Sequence, residues 1–149
     1  MATTSTSISN LTQTLITALT TADIVDLTAV QAGTFSATQA SYLSATQIAA
    51  FENDDIAKLT LSNLAASQVA GISKDQSPVL SAAQVAAIGA SAISGMVTAA
   101  FSTLTTTQTV ALTTAQVKGL LATQMAVMTE DQLGKITAAQ VAAVPVASM

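Results

Sequence analysis

Glutamine stands at 108, 116, 124, 132 and 140, four consecutive steps of eight residues, and the same step separates Gln31, Gln39 and Gln47 and again Gln68, Gln76 and Gln84. So short and regular a period makes the chain a tandem array, and every other feature has to be read in its register. With unit positions named a to h and glutamine at e, Leu112-Thr-Thr-Ala-Gln-Val-Lys-Gly119 is one complete copy. Position a then falls on Leu11, Leu19, Leu27, Phe35, Leu43, Phe51 and Leu59, steps by five, and resumes at Leu64, Ile72, Leu80, Ile88, Met96, Leu104, Leu112, Leu120, Met128, Ile136 and Val144. All eighteen are large and apolar.

The other columns are equally selective. Position b is Thr or Ser in twelve of the eighteen units, and eleven of the twelve glutamines lie at e. Position f is mostly aliphatic, as at Ile24, Ile48, Ile56, Val69, Val85, Val117 and Leu133, and Gly33, Gly71, Gly95, Gly119 and Gly134 all fall at g or h.

A continuous α-helix advances about 100° per residue, so eight residues overshoot two turns by roughly 80° and would smear the apolar stripe around the axis. One short helix per unit accounts for every column instead. Thr or Ser at b is an N-cap, Gln at e is its capping-box partner, and the apolar residues at a and f form a hydrophobic staple. Glycine at g or h is expected to supply a left-handed exit. Helices of five to seven residues are far below the ~12–15 at which isolated helices become marginal in water, so the units must stack. The expected fold is all-α, a solenoid of one-to-two-turn helices, one per octad. A β-solenoid is the alternative, since an even period suits a strand. Against it, a and f would face opposite sides, and alanine at c, d, f and g disfavours strands.

A Thr/Ser-rich segment, residues 1–10, precedes a single array over residues 11–149. The phase slip near residues 59–66 predicts a kink, a longer merged helix or a change of radius. Units Ile88–Gly95 and Met96–Thr103 lack both the b hydroxyl and the e glutamine and are expected to depart most from the pattern.

Eight acids, four lysines and no arginine leave a net charge of −4, a poor basis for neutralising phosphates, and nucleic acid is excluded as a partner. No Cys and no His remove disulfides, thiolate nucleophiles, imidazole bases and the commonest zinc ligands together. The uncharged span Gln76–Val117 is interrupted by Gln, Ser, Thr and Pro78, so no transmembrane segment is expected, and Met1–Asn10 lacks the pattern of a cleaved secretory signal.

Glu52-Asn53-Asp54-Asp55, the densest charge, has oxygens for a hard cation but neither the spacing nor the glycine of an EF-hand loop. It is read as a variant octad with Asp55 at e. Asp23, Asp26, Glu130 and Asp131 have no nucleophile, base or metal ligand beside them in the pattern, so no catalytic residue, cofactor or metal is expected. A ligand-reading role for the glutamine column competes with the capping box, which already explains it.

Leu104-Thr-Thr-Thr-Gln, Leu112-Thr-Thr-Ala-Gln-Val and Ile136-Thr-Ala-Ala-Gln-Val resemble the Leu-Thr-x-x-Gln-Val/Ile-x-x octad arrays of large bacterial surface or secreted, adhesion-like proteins, over about Leu11 to Val144. The resemblance implies an extracellular or cell-surface structural role. Apolar residues run through both ends of the array, Leu11, Leu15, Ile16 and Leu19 at one and Ile136, Val141, Val144, Val146 and Met149 at the other. These are the expected self-assembly interface of a homo-oligomer or homopolymer, a filament or surface layer. The alternative is a monomeric binding module that presents a face to a surface glycan or peptide.

Overall fold

The computed structural model describes residues 7–144. Among them the chain forms fourteen α-helices and three 3-10 helices, with no strand. Each α-helix has only four to six residues, slightly shorter than expected, and one begins in almost every octad.

The local logic is that of the capping box. In the unit of Ala45–Ala50, Gln47 N–H donates to Ser44 Oγ at 3.2 Å while Ser44 N–H donates to Gln47 Oε1 at 2.7 Å. Thr113 and Gln116 repeat the pair at 3.1 and 2.8 Å ahead of Thr114–Lys118. Where b carries no hydroxyl, as at Ala65 and Leu121, only the glutamine half survives, the b N–H donating to Oε1 at 2.8 and 2.9 Å. Each six-residue helix stops as the next a residue turns extended. Phe51, at φ −62° and ψ 136°, sends its N–H back to the Ile48 carbonyl.

The glycines do not act as left-handed exits. No described residue has positive φ, and Gly33, Gly119 and Gly134 are right-handed at φ −69°, −87° and −64°. Their column has another cause. Each unit packs on the unit three places away: Thr21–Val25 on Ala45–Ala50, Ala29–Ala32 on Asn53–Ile56, Ala82–Ala87 on Thr106–Ala111, and Thr114–Lys118 on Ala138–Ala143. Along one such row, a methyl on Gly71, Gly95 or Gly119 would lie 2.2, 2.0 or 2.5 Å from the carbonyl oxygen of Ala45, Ala66 or Ala90. Each of those carbonyls sits at position c, three units earlier. These three glycines are there for close approach of backbone to backbone, whereas a methyl on Gly33 would meet nothing nearer than 3.4 Å.

The core is the a and f columns. From Ile16 to Val117 every f residue is 0–1% exposed, and every a residue from Leu27 to Met128 is buried. Phe35 and Phe51, at a in units two apart, meet edge to face with centroids 6.1 Å apart. Ile8, from the segment ahead of the array, is also buried and joins the same core.

Three departures are instructive. No helix runs through the slip: Leu59–Asn63 is a bare turn whose Leu59 and Leu61 are buried in the core. It takes the place of a whole unit, so Ala45–Ala50 packs on Ala66–Val69, a start-to-start offset of 66 − 45 = 21 residues in place of 106 − 82 = 24. Unit Ile88–Gly95 does depart, with only the 3-10 helix Ile93–Gly95, but Met96–Thr103 keeps the α-helix Thr98–Phe101 around buried Ala100 and Phe101. Conversely Ile72–Val79 has its cap pair, Ser73 and Gln76, yet yields only the 3-10 helix Ser77–Val79, because Pro78 has no N–H to continue an α-helix.

Gly95→Ala is expected to destabilise the fold by about 1–3 kcal/mol through overpacking against Ala66. Gly89→Ala, whose new methyl meets only the Ala92 side chain at 3.7 Å, should be near neutral. Urea denaturation of the two variants side by side checks the contrast.

Candidate functional site

The glutamine side chains do more than close their own capping boxes. While Oε1 accepts from the b N–H, Nε2 donates to two carbonyls of the chain that lies underneath. Gln116 Nε2 reaches the Val85 and Ile88 oxygens at 2.8 and 2.7 Å, and Gln124 reaches those of Ile93 and Met96 at 2.9 and 2.8 Å. The same bonds run from Gln39 to Ile8 and Leu11, from Gln47 to Ile16 and Leu19, and from Gln108 to Ser77 and Leu80. Across the short unit the amide still finds the a carbonyl three units back, Gln68 donating to Leu43 and Gln84 to Leu59. The a carbonyls among these acceptors take no bond within their own helix, and the f carbonyls, which accept from the next a N–H as Val85 does from Ile88, gain a second donor.

This answers the ligand-ladder reading of the column. Gln108, Gln116, Gln124, Gln132 and Gln140 are all buried. Both ends of each amide are engaged within the chain, so no regular array of free amides faces outward from them. The b hydroxyls of Thr105, Thr113 and Thr129 are likewise engaged as caps. Asp23, half-buried, is held below the usual carboxylate range by bonds from the Thr20 hydroxyl and N–H, at 2.7 and 2.9 Å.

What remains as a candidate site is an apolar recess among the last described units. The f column, closed up to Val117, opens at its next three members. Met125 is half-buried, Leu133 is 46% exposed and Val141 53%. With half-buried Ile136 and Val144 they line an apolar recess of about 200 Å³. Of the residues expected at this end, Ile136, Val141 and Val144 are therefore brought together, and Val146 and Met149 lie outside the described residues. Met125 and Leu133 were missed by a reading that followed the chain to its last apolar residues. The signal was available in the f column once each unit is known to be covered by the unit three places later.

At the other end, Leu11 and Leu19 are half-buried against the core and Leu15 is 52% exposed. Ile16 is corrected from an interface residue to a core residue, since it is fully enclosed by its own chain and offers nothing to a partner.

Fold and columns together define an all-helical protein built on an octad repeat. Comparison with protein-family models, curated proteins and solved structures finds no match for the chain. Among the described residues no helix is long and apolar enough to cross a membrane.

Gln116→Leu should destabilise the protein by about 1–3 kcal/mol for each buried backbone group left unpaired. Gln13→Leu, at the exposed twelfth glutamine outside the e column, should leave the urea midpoint unchanged.

Proposed function

We propose that this chain is a structural protein without enzymatic activity, a solenoid with three octads per turn whose copies join end to end as the subunit of an extracellular filament or surface layer. The observation that carries the reading is the opening of the f column at Met125, Leu133 and Val141. Each unit is covered by the unit three places on, and among the described residues no later unit covers these three.

The backbone agrees with the side chains. Glutamine amides reach the a carbonyls of Leu80, Ile88, Leu104 and Leu112, whereas among the described residues none reaches those of Leu120, Met128 or Ile136. An apolar recess rimmed by carbonyl acceptors suits further units of the same repeat. The first units of a second copy continue the apolar a column, with Leu15 exposed and Leu11 and Leu19 only half-covered, and the first amide they carry at e is Gln31. A head-to-tail contact that does not close on itself propagates as an open helical filament. Repeat arrays need terminal units with a polar outer face for solubility, and among the described residues no charged one lines this recess. The extracellular setting rests on the resemblance to bacterial surface arrays.

The wild-type chain is expected to grow with concentration in sedimentation velocity and to give filaments or sheets in negative stain. Leu133→Lys combined with Val141→Lys, at two positions already half exposed, should stay folded by circular dichroism and remain monomeric. A wild-type protein that stays a monodisperse monomer at the highest attainable concentration refutes the proposal, and the face-presenting module for a glycan or peptide then takes its place.

A further inference from the structure

Asp55 occupies the e position in a column otherwise dominated by glutamine, and it is buried, with only 4% of its surface exposed. Its Oδ2 is enclosed and has no hydrogen-bond partner. The register identifies what lies opposite. Gln47, one octad earlier, donates to the Leu19 and Ile16 carbonyls, 28 and 31 residues back. The same offsets from Asp55 give 55 − 28 = 27 and 55 − 31 = 24, Leu27 and Ile24, and the helix Asn53–Ile56 does pack on Ala29–Ala32 directly after them. Both opposing groups are acceptors. An ionised carboxylate there would set oxygen against oxygen with no donor in between, inside an enclosed space.

We infer that Asp55 is held as a neutral carboxylic acid in the folded chain, its proton replacing the glutamine N–H as the bond to the unit beneath, which makes this step of the stack a pH-sensitive lock. Burial first, then the charges of Glu52 and Asp54, push the Asp55 carboxyl above its ordinary value. The other charged groups on the packed segments are Lys58 at the end of the same unit, Asp26 just before Leu27 beneath, and Lys74 and Asp75 in the unit above. None of these adds to the shift. Because the folded value lies above the unfolded one, the stabilisation is complete below the ordinary carboxylate range and is lost as pH rises through the folded value. Asp23, held low by Thr20, works in the opposite sense.

The test compares the wild type with Asp55→Asn and Asp55→Gln, both of which carry a permanent N–H donor. In urea at about pH 8 both variants should unfold at higher midpoints than the wild type, and the gap should close towards about pH 4, near the ordinary carboxylate value. Infrared spectra of the folded wild type at about pH 6, where exposed carboxylates are ionised, should contain a carboxylic-acid C=O band that Asp55→Asn lacks. A midpoint gap that is the same at both pH values, or absence of that band, overturns the inference. So does a rise in the wild-type midpoint with added calcium or sodium at high pH that Asp55→Asn does not share, since the oxygens would then be holding a cation. If neither variant folds, titration of the band in the wild type alone decides.

Discussion

A helix of four to six residues can close only one to three backbone bonds of the ordinary i to i−4 kind, because most N–H groups at its start and C=O groups at its end have no partner inside it. A chain made of such helices, one after another, would bury dozens of unpaired polar groups. The glutamine at e resolves the problem at both ends. Its Oε1 takes an N–H at the start of its own helix, and its Nε2 gives two bonds to carbonyls at the end of the helix and at the extended a residue of the chain underneath, as Gln116 does with Thr113, Val85 and Ile88. The same side chain thus permits the helix to be short and obliges it to lie on another. Packing at a and f follows from that geometry, as does the need for glycine where Gly95 lies against Ala66.

Much of this was legible in the sequence because it is local. The capping box at Ser44 and Gln47 spans three residues, and the staple at a and f spans five, so spacing alone reveals both. The number of units between packing partners was not legible, since nothing within one octad records which other octad it will meet. The second role of glutamine was hidden for the same reason, its acceptors lying 25 to 31 residues away. Glycine was misread because the left-handed exit is the local reason for that residue at a helix end, whereas Gly71, Gly95 and Gly119 answer to a carbonyl three units off. Ile16 shows the same limit among the site residues. Its place near the start of the array suggested an exposed end, but f residues are covered from above, and Ile16 has three later units to cover it.

The column also tolerates imperfection in an ordered way. Ala65 and Leu121 lose the hydroxyl half of the cap and keep the glutamine half, and their helices form. Met96–Thr103 loses both halves and keeps its helix through the burial of Ala100 and Phe101. Ser77 puts a hydroxyl with no partner into the f column, yet its carbonyl still accepts from Gln108 at 2.8 Å. Backbone pairing between units is therefore the more persistent feature, and any one cap or core side chain can be surrendered where its neighbours hold the segment in position.

The packing of every unit on the unit three places away gives the chain a counting rule. Adding or removing one octad would carry everything beyond it onto a different row relative to what precedes it: a change between Ala66 and Gly95 would set that glycine against a stranger, and one between Ile88 and Gln116 would strand that amide. Adding or removing three octads would leave each later residue on its own row with equivalent neighbours. Residues lost inside a single unit are another matter: Leu59–Asn63 has only five, and the rows on either side of it still agree because it remains one unit. Such a molecule keeps its phase in units and not in residues, so an array of this kind can be lengthened or shortened by whole blocks of three octads while short deletions pass within a single unit.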